Sequence, residues 1–133
     1  MKSKVLLAGI MMVILAAACT LSAELPGEVV LKPGETASHA SGSITVTFVE
    51  VREDSRCPAD AVCVWAGQVK VLLEVAYGTE TQQYTLTLDT LLEGDVNSVS
   101  IGGVTITLVQ VDPYPLASQP ADPADYRITL DIE

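Results

Sequence analysis

The feature that most constrains this chain is an alternation of apolar and polar residues that recurs in several short segments. Successive side chains of a β-strand point to opposite faces of a sheet, so a period of two residues predicts strands with one buried face. No segment after residue 20 has the 3.6-residue period of a helix. The clearest alternating segments are residues 44–51, 69–77, 83–88, 104–111 and 126–132.

Turn signals rich in glycine and proline separate these segments, at residues 32–35, 77–79, 93–95, 102–103 and 112–125. Weaker strands are predicted at residues 29–31, 37–40 and 96–101. Seven or eight short strands at this spacing predict an all-β domain, either a single antiparallel β-sandwich or, as the alternative, a small β-barrel.

Two of the strands share a sequence template. The segment GSITVTFVEV at residues 42–51 resembles GGVTITLVQV at residues 102–111, and alternation breaks in both, at Phe48-Val49 and at Leu108-Val109. This change of phase predicts a bulge, or a strand end buried on both faces, at matched positions. The likeness indicates either equivalent strands in a two-fold-like sandwich or the limited vocabulary of strand sequences.

The N-terminus has the pattern of an export signal. The basic start Met-Lys-Ser-Lys precedes an apolar run over residues 5–18, which is too short for a spanning helix. The segment LAAAC at its end resembles the lipobox of bacterial lipoproteins, in which cleavage leaves the cysteine, here Cys19, as a lipid-carrying N-terminus. Ala16 stands where a larger aliphatic residue is usual, so cleavage after residue 18 to give a free secreted protein is the alternative.

The lipoprotein prediction divides the chain into a signal peptide (residues 1–18), lipidated Cys19 with a short tether (residues 19–27) and one β-sandwich domain (residues 28–133). Thr20 after the cysteine, rather than aspartate, indicates the outer membrane if the source has two membranes. Otherwise the protein is expected on the outer face of the cell membrane.

The charge of the mature chain disfavours nucleic acid as a partner. After residue 18, five lysines and arginines stand against 17 aspartates and glutamates, a net charge of −12. Such a charge repels nucleic acid and anionic membrane faces, and it either keeps an exported domain soluble or favours a cationic partner.

The segment DSRCPADAVCVWAG at residues 54–67 holds the other two cysteines. Five residues separate Cys57 from Cys63, which is neither the Cys-x-x-Cys of a redox site nor a zinc-finger spacing, and His39 is the single histidine. If Cys19 carries lipid, the remaining two form an even pair in an oxidising compartment. We therefore predict a local disulfide between them, no metal site and no cofactor.

Trp65 follows Cys63 by two residues, and two predictions stay open for it. On a strand, both side chains would share one face, so the indole would cover the disulfide as part of the core. Alternatively it is an exposed anchor for a sugar or a protein, flanked by the charged residues Arg56, Asp54 and Asp60.

Catalytic constellations are missing from the sequence. His39 lies among serines, but there is no Gly-x-Ser-x-Gly elbow, and the carboxylates are scattered over turns and strand ends. We therefore expect no enzyme and no catalytic residue; a secreted hydrolase is the least favoured class.

The motif Ser-Arg-Cys-Pro-x4-Cys-x-Trp-x-Gly at residues 55–67 resembles one found in small uncharacterised bacterial lipoproteins and secreted proteins. The resemblance implies export and supports the Cys57–Cys63 pair, and it brings no assigned activity. We expect a binding module for an envelope protein or a glycan, with Trp65 and Tyr114 as anchors on two long loops, residues 54–67 and 112–125. The alternative is a structural envelope lipoprotein without a discrete ligand.

Overall fold

The computed structural model describes residues 27–133 of the chain. The predicted signal peptide, Cys19 and nearly all of the tether lie outside the described residues. Gly27, which the sequence assigned to the tether, already belongs to the first strand. The described strands are β1 Gly27–Leu31, β2 Thr36–Ser38, β3 Ile44–Asp54, β4 Gln68–Tyr77, β5 Glu80–Asp89, β6 Ser98–Ile101, β7 Val104–Asp112 and β8 Arg127–Ile132.

The eight strands form two four-stranded antiparallel sheets. One sheet has the order β1-β8-β7-β6 and the other the order β2-β3-β4-β5. The two sheets are separate and do not close on each other, so the predicted β-sandwich is confirmed and the barrel alternative is wrong. A 3-10 turn at Pro123–Asp125, which Asp122 caps by accepting from the Ala124 N–H, interrupts the connection before β8.

The core lies between the sheets, and the alternation of the strands supplies it. The predicted apolar face of β4 is buried, apart from Tyr77 at the strand end. Each fully buried Val, Leu, Ile or Phe side chain contributes roughly 1.5–3 kcal/mol relative to exposure. The fully buried side chains are Ile44, Val46, Phe48, Val69, Val71, Leu73, Leu86, Ile106, Leu108, Val111, Ile128 and Leu130.

Two bulges lie where the sequence predicts a change of phase. The register of β3 on β4 shifts between Phe48 and Glu50, and the register of β7 on β8 shifts between Leu108 and Gln110. The two bulged strands, β3 and β7, also occupy matching places. One sheet has the order β2-β3-β4-β5 and the other, read from its opposite edge, has the order β6-β7-β8-β1, so each bulged strand is second in its sheet. The shared template therefore belongs to equivalent strands of a two-fold-like sandwich.

The strand directions divide the connections between the two ends of the sandwich. Three long connections start or finish at one end of the sandwich, which we call the loop end. They are residues 55–67 between β3 and β4, residues 90–97 between β5 and β6, and residues 113–126 between β7 and β8. The short turns after β4 and β6 lie at the opposite end. Gly27 lies there too, because it pairs with Ile132 at the finish of β8.

No helix within residues 27–133 is long and apolar enough to cross a membrane.

Candidate functional site

The loop end begins with the loop at residues 55–67, which a disulfide closes. Cys57 and Cys63 are bonded, with 5.8 Å between their Cα atoms, within the usual range for a disulfide. The prediction of a local disulfide is confirmed. At the base of the loop the Ser55 N–H donates to the Gln68 carbonyl at 2.8 Å and the Cys57 N–H to the Ala66 carbonyl at 2.9 Å.

Gly67 lets the two ends of this loop pass closely. Its φ is +73°, in the left-handed region, and a Cβ atom built on it would lie 1.8 Å from the Ser55 carbonyl oxygen. Only a residue without a side chain fits there. The Gly67 carbonyl also accepts from the Thr90 N–H at 3.2 Å, so this residue joins the first loop to the loop at residues 90–97.

Arg56 is buried, with 4% of its surface exposed, so the expectation that it flanks an exposed anchor is wrong. Its guanidinium makes two parallel bonds to Asp54, Nε to Oδ1 at 2.8 Å and Nη2 to Oδ2 at 2.7 Å. It also donates to the Val111 carbonyl at 2.8 Å and the Pro113 carbonyl at 3.1 Å. The planar fork of arginine suits this paired geometry, and here it ties the loop at residues 55–67 to the finish of β7.

Asp54 is likewise a member of a buried ion pair and is not available at the surface to contact a partner. Its side chain is 9% exposed and also accepts from the Tyr126 hydroxyl at 3.0 Å. Burial by itself would raise the pKa of Asp54, but the hydrogen bonds and charge of Arg56 outweigh burial and lower that pKa. Burial and the charge of Asp54 raise the pKa of Tyr126.

Asp60 links the first loop to the proline-rich loop at residues 113–126. Its carboxylate accepts from the Ala117 N–H at 2.6 Å and the Ser118 N–H at 3.1 Å. Hydrogen bonds from Ser118 and from the Ala117 N–H lower the pKa of Asp60. The Ala59 N–H donates to the Pro115 carbonyl at 3.0 Å. Asp60 thus holds two loops together while it stays at the surface.

Trp65 is half exposed, at 51%, and does not close the core. The prediction that it lies on a strand with Cys63 is wrong, because no strand covers residues 55–67. The flanking valines are fully exposed, Val62 at 103% and Val64 at 106%. All of residues 61–66, AVCVWA, are exposed, and none carries a charge.

Trp65 was predicted from the sequence as a candidate anchor, whereas the exposed valines beside it were not. The signal in the sequence was a run of uncharged residues that lies between two turn-forming segments and outside any strand pattern. Such a run belongs to no buried sheet face, so its side chains are expected at the surface. Runs of exposed apolar residues are unusual in soluble domains unless they serve an interface.

Tyr114 lies near this surface and is also half exposed. The guanidinium carbon of Arg56 is 4.8 Å from the centre of its ring, a cation–π distance, so one face of the ring is occupied from within the domain. A shallow depression of about 430 Å³ adjoins the ring. Its lining combines Tyr114, Leu116 and prolines with Gln119, Arg127 and the carboxylates Asp112, Asp122 and Asp125.

The third loop, at residues 90–97, is fixed to the outer face of β4. Lys70 and Asp95 form an ion pair at 3.1 Å, and the Leu92 N–H donates to Asp95 at 3.0 Å. These bonds lower the pKa of Asp95, the one from Leu92 most strongly. With its amide oriented by its partners, buried Gln68 donates to the Thr90 carbonyl at 2.8 Å and accepts from Lys70 at 3.2 Å.

Within residues 27–133 no group of three or more His, Cys, Asp or Glu side chains converges as metal ligands would. His39 lies in the turn after β2, away from the loop end, where its Nδ1 is 2.9 Å from the Ser41 hydroxyl. That contact is local to an exposed turn.

Comparison of the chain with protein-family models, with curated proteins and with solved structures finds no match.

The disulfide is expected to contribute modestly to the stability of the domain. Its ring is small, and the chain-entropy relation gives about 2 kcal/mol for a loop of this length. Urea unfolding of a Cys57→Ser, Cys63→Ser double variant should therefore show a loss of about 2 kcal/mol with the transition still cooperative. A variant that does not fold would contradict this estimate.

Proposed function

We propose that this protein is a lipid-anchored, extracytoplasmic binding module of the bacterial envelope, and that the loop end is its contact surface. The observation that carries the proposal is the uncharged, exposed run at residues 61–66, which includes Trp65. Exposed apolar surface of this kind is costly to leave in water and is typical of interaction sites.

The run is held rigidly from several sides. The disulfide closes it, Asp60 and Arg56 attach it to the proline-rich loop, and Gly67 attaches it to the loop at residues 90–97. A preorganised loop loses little conformational freedom on binding, so more of its contact energy appears as affinity. Tryptophan supplies a large contact area on few rotatable bonds, which suits it to an anchor.

The position of Gly27 supports an outward orientation of this surface. Gly27 lies at the end of the sandwich opposite the loop end, and the proposed lipid on Cys19 is only eight residues before it. β3 has 11 residues and spans roughly 35 Å at about 3.3 Å per residue. A domain anchored at the Gly27 end therefore presents Trp65 away from its own membrane.

The chemistry of the surface favours a protein partner with an apolar pocket and a basic rim. Residues 61–66 offer no hydrogen-bonding side chain except the indole N–H, whereas a glycan requires several. The surrounding acids would attract a basic rim and raise the association rate. The exposed acids near the loop end are Glu53, Asp60, Asp89, Glu93, Asp122 and Asp125.

Site-specific crosslinking in cells tests the contact surface. A photoreactive amino acid at position 61, in the same exposed run, should capture one partner protein, and Trp65→Ala or a Val62→Ser, Val64→Ser double variant should lose it. Val30→Ser is the matched control, because Val30 is an exposed valine on β1, on a strand edge outside the loops. Binding of the purified partner should weaken as salt screens its basic rim.

Capture that is unchanged in both loop variants would refute the proposal. Capture that depends on Tyr114→Ala but not on Trp65→Ala would move the site to the depression beside Tyr114, where the polar lining suits a glycan.

The anchor has an independent test. A fatty-acid probe supplied to cells should label the wild-type protein and should not label Cys19→Ala, and a labelled variant would refute the lipoprotein prediction. Failure of this test would leave the contact surface itself untouched.

The exposure of Trp65 predicts its fluorescence. Since it is the single tryptophan of the chain, its emission should be shifted toward the red and quenched readily by acrylamide. A blue, protected spectrum would contradict the exposed anchor.

A further inference from the structure

The open edge of β5 is the longest edge in the described sandwich. The other edge strands, β1, β2 and β6, have five, three and four residues, whereas β5 has ten. Its pairing with β4 is continuous from Glu80 to Asp89, with no bulge. Long regular edges are templates for pairing with a further strand.

The hydrogen bonds of β5 show which of its residues face this edge. The Thr87 N–H donates to the Val96 carbonyl at 2.7 Å, outside the sheet. In an antiparallel strand the outward-directed residues alternate, so the N–H and C=O groups of Thr81, Gln83 and Thr85 point the same way. No described residue hydrogen-bonds to these backbone groups.

This edge carries few of the features that protect edges from association. Residues 80–85, ETQQYT, contain no proline and no lysine, and their one charge, Glu80, is at the strand start. Thr81, Gln83 and Thr85 are exposed. Proteins that keep a long edge unpaired usually place charges, prolines or bulges on it.

We propose that residues 80–85 pair with the same segment of a second copy, antiparallel and across a two-fold axis at Gln83. Gln83 then lies opposite the partner's Gln83, and Thr81 lies opposite the partner's Thr85. Each of these residues exchanges both backbone bonds with its opposite residue, since all point outward. The β2-β3-β4-β5 sheet of one copy then continues into the β5-β4-β3-β2 sheet of the other, and the two form one continuous sheet across the dimer.

The segment is self-complementary in this register. Only threonine and glutamine side chains meet on the outer face, so no like charges are opposed. Glu80 lies opposite the partner's Leu86 and about 20 Å from the partner's Glu80, beyond the Debye length at physiological salt. An isologous contact of this kind closes on itself and does not extend into a fibre.

The structure also limits the length of the contact. Val96 covers the edge at Thr87, and the register places the partner's Thr79 opposite Thr87. The β4–β5 turn at Gly78 and Thr79 begins there, so pairing finishes where Val96 occupies the edge. The contact is therefore short, and we expect a weak dimer in solution.

Crosslinking of the full chain in cells tests the register. Gln83→Cys should give a self-dimer with a short bismaleimide, because the two substituted positions face each other. Thr47→Cys is the control, since Thr47 lies in β3, which is paired on both sides. An edge filled by another protein's extended peptide would give a mixed crosslink and no self-dimer, and that result would overturn the proposal.

Charge reversal supplies a second test, with energy transfer measured in intact cells between two differently labelled copies. Gln83→Lys in both copies, or Gln83→Glu in both, should reduce the energy transfer at least about fivefold, because like charges then oppose each other. The mixed pair of Gln83→Lys with Gln83→Glu should restore it. No loss in the matched pairs, or no recovery in the mixed pair, would overturn the proposal.

Discussion

Replacing Gly67 with alanine is expected to destabilise the domain by more than about 3 kcal/mol, the largest effect of any single methyl group added to a described glycine. The new Cβ would lie 1.8 Å from the Ser55 oxygen and 2.5 Å from the Ser55 carbonyl carbon, both backbone atoms. Relief requires the ends of the loop at residues 55–67 to separate, which breaks the bond between the Ser55 N–H and the Gln68 carbonyl.

Gly78→Ala is the matched control for this substitution. Gly78 also has a positive φ, +60°, but nothing lies within 4 Å of the position its Cβ would take. Its replacement should cost about 1 kcal/mol, from backbone conformation alone. Urea unfolding of both variants measures the difference, and equal costs would show that the close approach of Ser55 is unimportant.

Arg56→Met is expected to cost about 3–5 kcal/mol, because it leaves the Asp54 carboxylate buried without its partner. It also removes the donors that the Val111 and Pro113 carbonyls use. The proline-rich loop should then open to proteolysis more readily than in the wild type.

Two further variants define the source of this effect. Arg52→Ala is the control, since Arg52 is half exposed and lies 3.6 Å from exposed Glu50, and it should change stability by less than about 0.5 kcal/mol. Arg56→Met combined with Asp54→Leu should lose less than the sum of the single variants, because no charge stays buried alone. Strict additivity would contradict a coupled ion pair.

The free energy of unfolding of Arg56→Met should change with pH in the opposite direction from that of the wild type. In the wild type the pKa of Asp54 is lowered. The Arg56–Asp54 pair therefore contributes its full stabilisation above the ordinary aspartate pKa of about 3.9, and this stabilisation is lost as the pH falls through the lowered pKa. Without Arg56 burial raises the pKa of Asp54, and protonation then favours the folded state. The stability difference between the two proteins should therefore narrow between about pH 7 and pH 4, and a constant difference would contradict the ion pair.

The strands and the core could be predicted from the sequence because both depend on local periodicity. Val69, Val71, Leu73 and Val75 follow one face of a strand, and that face is buried in the structure. The bulge at Phe48 was visible too, since a bulge shifts the phase of the same pattern. The disulfide followed from spacing and from the export signal.

The roles of the charged residues at the loop end could not be predicted in this way. Arg56 and Asp54 are near each other in sequence, but their burial depends on Val111, Pro113 and Tyr126, which arrive from more than fifty residues away. A charged pair in a loop usually lies in solvent, and only packing against another loop makes it internal. Trp65, in the same loop as Arg56, lies outside the core.

The all-β class, the places where strands change phase and the cysteine pair could thus be predicted from residue type and spacing along the chain alone. Only the folded structure shows that the two sheets form an open sandwich with a long unpaired edge at β5. It also shows that Arg56 is buried and that residues 61–66 are exposed. Those outcomes depend on which distant segments meet, and strand periodicity carries no information about that pairing.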